Sequence, residues 1–402
     1  MMKITAGLGS IEDYPLYVQA GADEVFAGYV PYSWNLRYGN VYPLNRREVL
    51  YYNVSIGTKE DIAILYEMYK ELNVPVTFAF NALYYTQEQY KIIDGYISDI
   101  RNIGFGDFII ADIGLIAYLY EKDRQLYDRI NVHLSGECME YNTKALELVS
   151  KYNIRRYIFH RKNTFSQMRE CIDYVKKYNK NAEFEAFLMN EKCHYNGSYC
   201  NSLHCDELAH LCMIPYETGN YDNSNSISAG RKAKGYISCI DEDSTKSEAA
   251  ESDDRDVNYI EDEDRDMLED ADVSKDVDML EDADVSKDVD MLEDEDVSKD
   301  VDMLEDIEML EDEYVPGMSG CGLCAAKTLD EIGITNLKVV GRGAHVECML
   351  KDIETVRKTL DILDSMPLDG DEYNEDDNTI YRQRIIDELF DGRCSKNCYY
   401  IT

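Results

Sequence analysis

The chain is poor in the groups that bind nucleic acid by charge. Only 41 Lys and Arg stand against 80 Asp and Glu, a formal net charge of −39, and phosphate backbones are held by clustered cations. No run of eighteen or more apolar residues is present, which argues against a membrane span. The opening MMKITAGLGS is followed by no long apolar stretch, so no secretory signal is expected and the predicted location is cytoplasmic. No GxGxxG opens a helix and no HExxH occurs. No Ser or Cys stands in a recognisable pairing with a base, so dinucleotide binding and the common protease chemistries lack a signature.

Cysteine, by contrast, is plentiful. Twelve thiols in a chain without an export signal are expected to remain reduced, where they serve metals or catalysis more often than disulfides. Four of them, Cys193, Cys200, Cys205 and Cys212, follow a strand-like EFEAFLMN. The loop between the first two holds Asn196, Gly197 and Ser198, which let the backbone fold back and aim both sulfurs at one centre. Thiolates favour zinc, copper(I) or iron–sulfur clusters, and spacing alone does not choose among these. A further pair, Cys321 and Cys324, lies in GCGLC. GRCSKNCYY places Cys394 and Cys398 four positions apart, a spacing open to a second metal, a redox pair or neither. Cys138, Cys171 and Cys348 read as small core hydrophobes.

Most of the negative charge belongs to one segment. From Asp241 to Glu313, 35 Asp and Glu face 6 Lys and Arg, a local −29 that leaves −10 for the remainder. The segment contains a twelve-residue repeat, MLEDADVSKDVD from Met267 and Met279, MLEDEDVSKDVD from Met291, then MLEDIEMLEDE from Met303. Its period is too short for a helical-hairpin solenoid, and its Asp density predicts a solvated, disordered insert. Calcium loops turn sharply on a glycine, which every repeat lacks. The expected division is therefore residues 1–239, an insert over 240–313, and residues 314–402.

Outside the insert, short β-branched or aromatic runs alternate with amphipathic ones. Strands are predicted at Lys3–Leu8, Glu24–Gly28, Val74–Asn81, Asp107–Asp112, Arg129–Leu134, Arg155–His160, Glu183–Leu188 and Asn336–Val340. Helices are predicted over Lys59–Leu72, Glu88–Ile103, Thr143–Tyr152 and Phe165–Tyr178, among others. Eight such units predict an α/β fold of the (β/α) TIM-barrel type, with chemistry at the strand C-terminal ends. Asn81, Asp112, His133 with Ser135, and His160 with Arg161 would then line one mouth.

Several motifs carry a resemblance. ITAGLGSIEDYPLYVQAGADEVFAGY, NLRYGN, NVHLSGE, EAFLMNEKCHYNGSYC and LCAAKTLDEIGITNLKVVGRG occur in the order and spacing seen in the collagenase-like peptidase family, which the chain resembles over nearly everything except the insert. The resemblance implies a 4Fe-4S cluster, with zinc the alternative, held by Cys193, Cys200, Cys212 and Cys324. Cys205 competes with Cys212 for the third place. It also implies oxygen-independent hydroxylation of a small ring compound or an RNA base, or peptidase activity as the family name states. Glu185, His133, His160 and Arg342 are the catalytic candidates, and Arg37, Asn40, Asn81 and Arg161 the substrate-binding ones. Two departures stand out: the family's His-Gly before the first cluster ligand is Met189-Asn190 here, and the Glu of its Glu-Gly-Arg is Val340. A third reading makes the chain a non-catalytic scaffold whose acidic repeat engages a protein partner, in a homo- or hetero-oligomer.

Overall fold

A computed structural model of the chain describes residues 2–39, 42–46, 54–138, 142–190, 192, 314–366 and 375–400. Asn40, Cys193, Cys200, Cys205, Cys212 and the acidic repeat lie outside the described residues.

Eight parallel strands close into a barrel in sequential order. They are β1 (Lys3–Leu8), β2 (Glu24–Gly28), β3 (Val76–Phe80), β4 (Asp107–Ile110), β5 (Asn131–Leu134), β6 (Arg156–Phe159), β7 (Glu183–Met189) and β8 (Asn336–Val339). The TIM-barrel expectation is met, and the closing strand is drawn from beyond the acidic repeat. β8 pairs with β7 on one side and with β1 on the other, Lys3 opposite Asn336 and Ala6 opposite Val339. The run expected from Val74 starts as a strand only at Val76, because Pro75 has no N–H to give a ladder.

Helices cover the strands as the patterning predicts. Lys59–Leu72 is capped by Thr58, whose side chain accepts from Asp61 N, and ends on Asn73 in the left-handed region at φ 57°. Gln87–Ile103 and Phe165–Lys176 each open with a capping box, Thr86 with Gln89 and Thr164 with Gln167. The stretch expected to be helical to Tyr152 divides into an α-helix over Thr143–Val149 and a 3-10 turn over Ser150–Tyr152. Among the described residues no helix is long and apolar enough to cross a membrane.

Alternate residues of each strand face in. TIM-barrel interiors are usually layers of branched aliphatic side chains, but the N-terminal half of this one is ionic. Arg156 on β6 reaches across to Glu24 on β2 at 2.6 Å and also meets Glu183 at 2.6 Å and Glu185 at 3.0 Å. Lys338 meets Glu185 at 2.6 Å and lies 3.8 Å over the Phe26 ring. Asn336 donates to Glu24 at 3.2 Å. Three carboxylates and two cations thus satisfy one another, Glu24, Glu185, Arg156 and Lys338 in the buried interior and Glu183 at its partly exposed edge, and paired charge of this kind is tolerated there.

Candidate functional site

Above the ionic layer, the strand C-terminal ends converge on a second polar cluster. His160 follows β6 and is fully buried. Its Nδ1 accepts from Lys162 N at 3.3 Å, which assigns the ring proton to Nε2, and Nε2 has no hydrogen-bond partner among the described residues. Burial lowers the His160 pKa to about 4, so the ring is neutral near pH 7. Arg161 bonds Glu137 at 3.2 Å and its guanidinium sits 3.9 Å over the Phe187 ring. Arg46 approaches the same carboxylate at 3.7 Å, and its backbone N–H is fixed by Asn81 Oδ1 at 3.0 Å. Arg342, just past β8, donates to Asn45 Oδ1. Three largely buried guanidiniums therefore share the mouth with a neutral imidazole.

Two glycines make this geometry accessible. A Cβ on Gly28, at the end of β2, would come within 2.5 Å of Arg342 Nη1 and 2.6 Å of Ser55 Oγ. Gly341 has φ 124°, which an L side chain rarely adopts, and it turns the chain so that Arg342 follows directly on β8.

The residues singled out from sequence separate into groups. His160, Arg161, Arg342 and Asn81 are brought together at the mouth. His133 points the other way, its Nε2 lying 3.3 Å from Asp107 at the start of β4. Glu185 belongs to the ionic layer, with both oxygens engaged by Arg156 and Lys338. Burial alone would raise its pKa, but those two cations overcompensate and hold it below the ordinary carboxylate value. This is the geometry of an anchor for the barrel interior rather than of a group that meets substrate. Asp112 caps the Ile113–Lys122 helix and also accepts from Tyr85 N and Tyr90 Oη, which fully occupies it. Arg37 lies on the exposed Tyr32–Tyr38 helix paired with Glu88, away from the cluster. Arg46, Asn45 and Glu137 join the cluster from outside the candidate residues. Their only sequence signal is position, since each falls in a loop shortly after a strand or helix at the C-terminal side.

The thiol-bearing segments meet at the edge of the same mouth. Asn190 N donates to Gly320 O at 2.8 Å, Lys192 N to Ser319 O at 2.8 Å, and Gly322 N to Leu188 O at 2.7 Å. The residue preceding Cys193 is thereby held against the segment carrying Cys321 and Cys324. Asn190 supplies the turn: it has φ 68°, and its amide donates to Val340 O and to Asp352. Asn is the side chain most tolerant of that conformation after Gly. Met189, in place of the family's His, is fully buried. Among the described residues no three or more His, Cys, Asp or Glu side chains are grouped as a ready-made metal site.

Residues 9–397 match the model of peptidase family U32, and the chain belongs to that family. No curated protein matches it. Among solved structures, a U32 peptidase is similar at 9% identity and TM-score 0.35, over 47% of this chain and 69% of that one. A 2,3-dimethylmalate lyase of the PEP mutase/isocitrate lyase superfamily is similar at 12% identity and TM-score 0.30, over 47% and 68%. Tryptophan synthase from M. tuberculosis is similar at 14% identity and TM-score 0.30, over 48% and 76%.

Proposed function

We propose that this U32 protein is a 4Fe-4S enzyme that takes part in oxygen-independent hydroxylation or a related modification of a small organic substrate, free or linked to RNA, bound in the C-terminal mouth. The observation that supports the site is the pairing of Arg46 and Arg161 on Glu137 near His160, whose Nε2–H has no partner among the described residues, with Arg342 held by the neighbouring Asn45. Guanidiniums match carboxylate and phosphate geometry, so the substrate class is anionic. In the buried mouth their attraction is little screened by solvent. Arg161 is fixed by Glu137 and Phe187, and Arg342 by Asn45, so both donors are oriented before substrate arrives. The neutral imidazole of His160 adds one directed N–H donor with no charge to desolvate.

The cluster ligands implied by the family resemblance are Cys193, Cys200, Cys212 and Cys324, with Cys205 the alternative for Cys212. Soft thiolates are the donor set such clusters take. Of the four, only Cys324 is among the described residues. It lies in the 3-10 turn Leu323–Ala325, beside the segment that leads into Cys193. That placement of Cys324, and the thiol donor set, support the reading. When bound, a cluster supplies one-electron chemistry, and the chain's own residues bind and orient the substrate beside it.

Proteolysis is the rival carried by the family name. Among the described residues, neither buried histidine is hydrogen-bonded to a Ser or Cys: His133 is engaged with Asp107, and His160 with a backbone N–H. A nucleophile of the Ser–His or Cys–His type needs such a bond.

The test is anaerobic purification of wild type and Cys193→Ala, with iron, sulfide and the visible spectrum measured on each. About four irons and four sulfides per chain, lost in the variant, are expected. Zinc alone, or no metal in wild type, sinks the cluster reading. Cleavage of gelatin by metal-free protein would move proteolysis to the front.

A further inference from the structure

The tail after the Glu375–Phe390 helix returns to the barrel. Cys321 N donates to Asn397 O at 2.9 Å and Tyr399 N to Cys321 O at 2.7 Å, which sets Cys321 and Cys398 side by side as a parallel bridge. Asn397 Nδ2 donates to Met318 O at 2.9 Å, and Tyr400 Oη to Phe187 O at 2.6 Å. Pinned on both sides, Tyr399 is delivered to the C-terminal ends of β6 and β7 and is buried there. Its ring lies against Gly320, where a Cβ would stand 2.5 Å from Cε1 of Tyr399 and 3.0 Å from Cβ of Lys192. Arg161, just past β6, is its charged neighbour. The Tyr399 hydroxyl is closed to solvent and has no hydrogen-bond partner among the described residues. An unpaired buried polar group costs about 1–3 kcal/mol, and packing gives no reason for this one, since Phe would fill the same space without it.

We propose that Tyr399 is a substrate-binding residue of the mouth, its phenol O–H donating to the same oxyanion that Arg161 pairs with. The inference rests on the reading of the mouth as an anion site and adds the C-terminal tail to it. Burial raises the phenol pKa and outweighs Arg161, which lowers it, so the hydroxyl keeps its proton near neutral pH. A guanidinium only donates, so the Tyr399 proton cannot be spent on Arg161 and remains for an acceptor beside it. Arg46 and Arg161 bring two positive charges against the single carboxylate of Glu137, which leaves the group attractive to an anion. His160, the residue before Arg161, holds a second neutral donor, Nε2–H, without a partner among the described residues. A carboxylate or phosphate group has lone pairs enough for these donors. Tyr400 differs from its neighbour: its hydroxyl is spent on Phe187 O and holds the tail in place.

The full chain, purified anaerobically, is titrated with inorganic phosphate and in parallel with acetate, at matched ionic strength, as wild type, Tyr399→Phe and Arg161→Met. Melting temperature and the near-ultraviolet tyrosine difference spectrum are followed. Without ligand, Tyr399→Phe is expected to melt at or above the wild-type temperature, because it removes an unpaired polar atom. It is expected to bind the anion about tenfold or more weakly, the loss of one hydrogen bond to a charged group, and to lack the tyrosine difference band that binding produces in wild type. A loss confined to acetate marks a carboxylate ligand and one confined to phosphate a phosphoryl ligand, and either supports the proposal. Wild-type affinity in Tyr399→Phe together with a loss in Arg161→Met overturns the role of Tyr399 and leaves the anion reading of the mouth standing. A Tyr399→Phe protein that melts lower and binds normally assigns the residue to packing and overturns the proposal as well. No response of wild type to either anion overturns both.

Discussion

Lys338 Nζ lies 2.6 Å from Glu185 Oε1 inside the barrel, a contact made across 153 positions of sequence. It joins β7 to β8 at the seam where the chain resumes after the acidic repeat. Glu185 also meets Arg156, which keeps Glu24 and Glu183, so replacing it by Ala leaves Lys338 as the buried cation without its carboxylate. Removing one partner of a buried ion pair costs roughly 3–5 kcal/mol. Urea denaturation of Glu185→Ala should show a loss of that order or failure to fold. A variant of wild-type stability would refute the anchoring role.

That relationship also marks what sequence reasoning can and cannot reach. The alternation of strand and helix made the barrel legible. β1 and β2 fall at the expected residues because each is a short, nearly continuous apolar run, as strands buried on both faces are. Depth along the barrel is a different matter. Glu185, His133 and His160 all sit on inward-facing positions, but only the register between strands decides that the first two face the ionic layer and the third the mouth. Arg46 and Glu137 occupy loops, where charge has no period to betray its role. Cys321 meets Cys398 only because the tail doubles back, and no local pattern encodes that return.

His160 makes stability depend on pH in a definite direction. Its folded-state pKa is lowered to about 4 by burial, from the ordinary 6.5. A lowered base binds fewer protons folded than unfolded, so its contribution is complete above pH 6.5 and is lost as pH falls towards 4. The span corresponds to about 3 kcal/mol at most. Urea midpoints measured from pH 7 down to pH 5 should decline, and His160→Gln should flatten the decline. An unchanged slope in the variant would assign it to other groups.

Acid below this window acts on the ionic layer instead. Burial would raise Glu183 and Asp107, but Arg156 pulls the first down and His133 the second, so both pKa values lie under their ordinary ones, as does that of Glu185. Depressed carboxylates stabilise fully above their unfolded pKa values, about 4, and lose that stabilisation as pH falls through the folded ones. Near-ultraviolet circular dichroism should show tertiary structure collapsing below pH 4 in wild type and at higher pH in Lys338→Met.

Gly28 offers the sharpest test of the arginine cluster, because its own backbone is unstrained and only space is at issue. An Ala methyl would meet the Arg342 guanidinium at 2.5 Å and push it out of the mouth. Overpacking of this kind costs about 1–3 kcal/mol, and a long side chain can yield, so the protein should still fold. Inorganic phosphate should raise the melting temperature of wild type, since a ligand that binds only the folded state stabilises it. The rise should shrink in Gly28→Ala and in Arg342→Met, and sodium chloride at matched ionic strength should not reproduce it. A phosphate effect equal in all three proteins would mean that the cluster holds the fold and does not receive an anion.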